Sequence, residues 1–190
     1  MRKIIIISIL IVCNLSSKAQ IIVTTEEVLK YMDTNKAFPK GAYLQDVNHV
    51  LDKFIGTWKG TYGGKNYEFR ITKFLAVRES FKEDILLMRY LVINSNGTVI
   101  EDTRALPDSS PYVIRGDYLD TTTYALNYSG KNANCGQAGT IFIDFLKDSN
   151  NTKMTLFLVT ESMIIDQNSC PNGGAKQIMP TADQIILLKQ

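Results

Sequence analysis

From Gly56 onward, apolar and polar positions alternate along the chain with a period of two. Tyr67, Phe69 and Ile71 share one face of an extended segment, and Glu68, Arg70 and Thr72 share the other. Gly63-Gly64 is a two-residue hairpin signal. It pairs Tyr62 with Lys65, Gly60 with Tyr67 and Trp58 with Phe69. Further strands are predicted over 84–93 and 98–103, over a short piece at 112–115, and over 121–128, 140–147, 153–160 and 183–189. The turn at 94–97 places Arg89 near Asp102. The turn at 148–151 pairs Lys147 with Lys153 and Thr140 with Thr160. The strands at 85–93 and 154–159 are apolar on both faces, so their outer faces need cover. About eight strands joined by hairpin-like turns, with little helix among them, predict a mainly β chain. The expected fold is an antiparallel β-barrel over 56–190, and an antiparallel β-sandwich is the alternative.

Before Gly56 the pattern is helical. Thr24 and Glu27 have capping-box spacing at the start of a helix over 24–33. Asp46 is placed to cap a second, whose stripe is Val47, Val50, Leu51 and Phe54. His49 lies off that stripe and is expected in solvent. These elements make a lead-in over 20–55.

The first nineteen residues read as an address. Arg2 and Lys3 precede an apolar run from Ile4 to Cys13, and Ser17-Lys18-Ala19 supplies small residues for a cut between Ala19 and Gln20. This is a signal-peptide pattern, too short to span a bilayer. No other span is apolar enough, so the mature chain is expected to lack a transmembrane segment. A lipoprotein signal acylated at Cys13 is the weaker alternative, because Val12 occupies the preceding position where a small residue is wanted. The chain is therefore expected to be exported, to periplasm or beyond the cell. Two cysteines then remain, Cys135 and Cys170. An even pair in an oxidising compartment predicts a disulfide. With no C-x-x-C and one histidine, no metal site is expected.

Composition narrows the function. Of 21 basic residues, Arg2, Lys3 and Lys18 lie in the first nineteen, which hold no acid; 18 then face 19 acidic side chains. A near-neutral mature chain is not expected to bind nucleic acid.

Asp52-Lys53-Phe54-Ile55-Gly56-Thr57-Trp58-Lys59-Gly60 resembles the opening of lipocalins and their calycin relatives. The resemblance implies a barrel whose first strand starts at Gly56, with Trp58 plugging the closed end. In lipocalins an arginine near the last strand packs over this tryptophan; here that end carries Lys189, and no arginine follows Arg115. The chain as a whole resembles small secreted flavobacterial proteins (Bacteroidota) of unknown function.

Trp58, Tyr67 and Phe69 are the candidates for lining a ligand cavity; packing into the core is the competing role. Tyr112, Tyr118, Tyr124 and Tyr128 fall in a polar stretch and suggest an exposed protein- or glycan-binding surface. The pairs Glu83-Asp84 and Glu101-Asp102 read as solvated charge, since strand neighbours point to opposite faces. No residue set suggests catalysis or a cofactor. The expected function is non-enzymatic binding of a small apolar or amphipathic ligand inside the barrel. The alternative is a protein- or glycan-interaction module with a filled barrel.

Overall fold

The computed structural model describes residues 20–162 and 164–190. The segment 1–19, with Cys13 and Ala19, lies outside them. In chain order the elements are β1 (Ile22–Thr24), α1 (Val28–Asp33), β2 (Ala42–Gln45), β3 (Gly56–Tyr62), β4 (Lys65–Val77), β5 (Phe81–Asn94), β6 (Val99–Asp102), β7 (Ile114–Asp120), β8 (Thr123–Ser129), β9 (Ala138–Phe145), β10 (Lys153–Thr160) and β11 (Ile185–Lys189).

Eight of these close into an antiparallel barrel in the order β3-β4-β5-β7-β8-β9-β10-β11, with β11 returning to β3 at Leu188↔Lys59. The closure at β5–β7 is short, Leu87↔Arg115 and Met88↔Ile114. The reason is that β5 shares this edge among three strands. Parallel β2 takes Phe81–Glu83, β7 takes Leu87–Met88, and β6 takes Leu91–Ile93. Between β2 and β7 the Leu86 amide instead donates to the Tyr124 hydroxyl at 3.3 Å.

The Gly63-Gly64 hairpin has the register that the sequence predicts, with Trp58 opposite Phe69. Two other registers differ from expectation. In the β9–β10 hairpin, Thr140 faces Val159 rather than Thr160. Only this register aligns the two buried rows, Ile141 with Leu158 and Ile143 with Leu156; a slip of one residue would set them on opposite faces. Asp102 faces Leu91 rather than Arg89, because the turn sets Ile93 opposite Val99 rather than Thr98 and a bulge between Val92 and Ile93 adds a second residue of offset. Arg89 turns instead to the Leu106 carbonyl, at 3.0 Å, and to Asp108, while Asp102 is held by Arg104 at 2.8 Å.

Of the two helices expected ahead of the barrel, one forms. A 3-10 turn at Thr25–Glu27 leads into α1, and the Thr24 amide donates to the Glu27 carboxylate at 3.0 Å. The second is a run of turns ending in a 3-10 turn at Asp52–Phe54. Asp46 does cap it, accepting from the Val50 amide at 2.7 Å and the Leu51 amide at 3.1 Å. His49, however, takes φ +55°, which breaks a helix. The stripe still serves packing: Leu51 and Phe54 are fully buried under the barrel. Lys73 pins the segment to β4 by pairing with both Asp46 and Asp52.

That end of the barrel is closed. The Trp58 indole N–H donates to the Phe54 carbonyl at 2.8 Å, and the Phe54 and Phe145 rings lie 4.9 Å apart. The Lys189 ammonium sits 5.2 Å from the Trp58 ring centroid. The opposite mouth is covered by the segment between β10 and β11. The Cys135–Cys170 disulfide ties it to the β8–β9 loop, with a sulfur–sulfur distance of 2.10 Å. The Tyr67 hydroxyl donates to the Ile178 carbonyl at 2.8 Å, and Met179 is buried beneath it.

The outer face of β5 needs cover, as its sequence implies. Ala42 and Leu44 of β2 bury with Val23 and Val28 at its first turn, against Phe81. Ile85 and Leu87 pack under Val113 and Leu106 of the β6–β7 loop. The outer face of β10 and β11 stays open, leaving Val159, Ile186 and Leu188 about half exposed.

Candidate functional site in the barrel wall

The barrel interior is filled by its own side chains. Trp58 and Phe69 are fully buried and Tyr67 nearly so, all in one cluster with Tyr90, Tyr124, Tyr128 and the inward aliphatic rows of β9, β10 and β11. The Tyr67 and Phe69 rings stack at 6.0 Å. Burial pushes the Tyr67 phenol up to about 12. Tyr67 also borders an open groove of about 670 Å³ on the outside of the β3–β11 seam, beside Gly60 and Ile186.

Two readings of the polar residues need correction. Tyr124 and Tyr128 lie in the core, and Tyr112 and Tyr118 are half-buried, so the four tyrosines do not form one exposed surface. Strand β8 turns its tyrosines inward. Glu101 is 3% exposed rather than solvated. It points into the mouth of the barrel and accepts the Tyr90 hydroxyl at 2.9 Å. His49 is exposed as expected, 3.1 Å from Asp52. Among the described residues, no three His, Cys, Asp or Glu side chains gather as a metal-binding group.

The cavity that combines room with unpaired charge lies in the wall, where β5 changes partner. After Arg115, β7 no longer pairs with β5, and its pairing with β8 shifts register between Gly116 and Leu119. The gap is a cleft of about 490 Å³, within the range of small-molecule sites. Val28 and Met32 of α1, with Phe38, form one side. Phe81 and Val113 form the floor with β7. The Phe38 and Phe81 rings lie 5.0 Å apart.

The strand period places the charges. Ile114 and Gly116 face inward and are buried, so Arg115 and Asp117 face out into the cleft. Gly116 is required here, because a Cβ would overlap the Tyr124 hydroxyl that bonds Leu86. Arg78 and Glu83 also line the cleft, but they neutralise each other at 2.7 Å. Arg115 donates to the backbone carbonyl of Asp108, whose carboxylate is occupied by Arg89. Among the described residues, neither Arg115 nor Asp117 has an ion-pair partner. Burial pushes the Asp117 carboxyl above its ordinary value, opposed by the Asn127 amide and the Arg78 guanidinium. An ionisable group whose charged form is disfavoured, set in a cleft, is a mark of a functional position.

Sequence reasoning missed this site, because 105–117 with its two prolines reads as loop apart from the short strand at 112–115, which stops before Gly116 and Asp117. The alternation Ile114-Arg115-Gly116-Asp117 was the available signal, diluted by a glycine that looks like a turn residue and serves as a packing gap.

The raised Asp117 pKa makes a stability prediction. The folded state holds this proton more tightly than the unfolded one, so the stability linked to it is full below the unfolded value and falls as pH rises through the folded value. Asp117→Asn should therefore raise the melting temperature at pH 7. The gain should vanish as pH approaches 4, in paired thermal melts. A gain that persists unchanged at low pH would place the carboxyl in water.

Comparisons with curated proteins and with solved structures find no match. One family model covers the chain from end to end, residues 1–190, and by that match the protein belongs to DUF6705, a family of unknown function.

Proposed function

We propose that this is an exported, non-enzymatic binding protein that holds a small amphipathic ligand in the wall cleft rather than inside the barrel. The observation that carries the reading is the cleft itself: about 490 Å³, apolar along α1 and Phe81, with Arg115 and Asp117 left unpaired on the opposite side. A packed interior offers the ligand no comparable space. Export agrees with the disulfide. Among the described residues, no helix is long and apolar enough to cross a membrane.

The test is titration with a dansylated fatty acid, followed by emission. Met32 is 41% exposed at the rim of the cleft, so Met32→Glu should abolish saturable enhancement while leaving the thermal melt unchanged. Ile186→Glu, on the outer face of β11, should bind as the parent does. Loss of binding in Ile186→Glu alone would move the site to the groove over β3 and β11. That groove, with Val159 and Leu188 exposed beside it, favours a second reading, an interaction face for a protein partner.

A further inference from the structure

Resting on the wall cleft as a binding site, we infer that its ligand is an amino-acid-like zwitterion: a free α-ammonium and α-carboxylate on one carbon, carrying an apolar side chain. The inference comes from the way the charges are left over. The cleft holds four charged side chains, and two of them, Arg78 and Glu83, cancel each other at 2.7 Å. The remaining two are of opposite sign, and neither meets a counter-ion among the described residues.

Arg115 and Asp117 stand two residues apart on the outer face of one strand, roughly 7 Å along the backbone. A long guanidinium arm and a short carboxylate at that spacing can both reach a ligand whose two charged groups are carried by one carbon. Arg115 gives one N–H to the Asp108 carbonyl. A guanidinium has five, so a planar pair remains for a carboxylate. Asp117 has the Asn127 amide, on β8 opposite Arg115, as a neighbouring donor, and it keeps acceptor capacity for an ammonium. A purely anionic amphiphile would use Arg115 and leave Asp117 facing apolar surface, while a purely cationic one would do the reverse. A zwitterion satisfies both at once. Val28, Met32, Phe38, Phe81 and Val113 give the cleft an apolar side suited to an aliphatic or thioether side chain, while Asn127 and Ser129 line it near the charges. The available volume suits a single amino acid rather than a folded peptide.

The experiment is calorimetric titration of the full secreted protein with L-leucine and L-methionine, with N-acetyl-leucine, leucinamide and octanoate as comparators. The free amino acids are expected to bind. Each capped derivative should bind about ten-fold or more weakly, the loss of one charge-assisted hydrogen bond. Asp117→Asn should erase the preference for leucine over N-acetyl-leucine, and Arg115→Gln the preference for leucine over leucinamide. Thermal melts of both variants control for folding. Equal binding of leucine and N-acetyl-leucine by the parent protein overturns the inference, as does unchanged discrimination in Asp117→Asn. Binding of octanoate without the amino acids overturns it too, yet leaves the cleft standing as a site for amphiphiles. Binding of none of these probes overturns both.

Discussion

Trp58→Ala should lower the unfolding free energy by about 3–5 kcal/mol, the range for removing a large buried aromatic side chain. Trp58 is 0% exposed, and three things depend on it. Its ring fills the closed end of the barrel beside Phe145, at 5.9 Å between centroids. Its indole N–H satisfies the Phe54 carbonyl at 2.8 Å, tying β3 to the 3-10 turn beneath the barrel. Its face supports the Lys189 ammonium at the end of the last strand. Alanine leaves a cavity and also a buried carbonyl without its partner, and the second cost adds to the first. Trp58→Phe separates them, since most of the volume stays and the hydrogen bond goes. It should cost about 1–2 kcal/mol. Urea unfolding followed by circular dichroism measures both. A loss below about 1 kcal/mol for Trp58→Ala would show that the closed end does not need its plug.

The same residues show what the sequence makes legible. Gly63-Gly64 and the alternation on either side suffice to set the β3–β4 register, because a two-residue turn leaves one pairing open and the aromatic row at Trp58 and Phe69 agrees with it. The barrel class follows from strand count and turn chemistry. The β9–β10 register is less legible from the turn, where Asp148, Asn150 and Asn151 all take positive φ in a longer loop. It is written instead in the apolar rows, which must bury together. Strand β2 escapes notice because it is four residues long and pairs in parallel with β5, a contact with no local signature. Of strand β7 only the start is legible, in the short piece at 112–115, because Gly116 is there for the Tyr124 hydroxyl, a neighbour eight positions along the chain that only the fold brings near. The cleft depends on both of these strands, on β5 changing partner between them, and on α1 lying across the gap. Its charged residues are therefore visible in the sequence as residues, while their being together and unpaired is a property of the topology. The buried Glu101 is a similar case: alternation puts Glu101 and Asp102 on opposite faces, and the depth of the inward one is set by the segment that roofs the mouth.

That roof carries the second large prediction. Cys135→Ser should destabilise the protein by about 3–4 kcal/mol, the chain-entropy value for a cross-link spanning 35 residues. Cys170→Ser should match it, and the unreduced parent should offer neither thiol to a labelling reagent. The entropic account places the whole effect in the unfolded chain. The structure adds a native-state component. The segment between Cys170 and β11 has no strand or helix, and it is held by a few separate bonds. The Ala175 amide donates to the Cys135 carbonyl at 2.7 Å, the Gln137 amide to the Lys176 carbonyl at 2.7 Å, and the Leu158 amide to the Pro180 carbonyl at 2.7 Å. Two of these three bonds reach the loop that carries Cys135. Without the sulfur bridge they must hold the roof alone, so hydrogen exchange should quicken at the Ala175 and Leu158 amides while the long β4–β5 ladder keeps its protection. Loss of stability with unchanged exchange at those two amides would assign the disulfide entirely to the unfolded state. Faster exchange confined to them would show that the bridge also holds the mouth of the barrel closed over Tyr67, Tyr90 and Glu101.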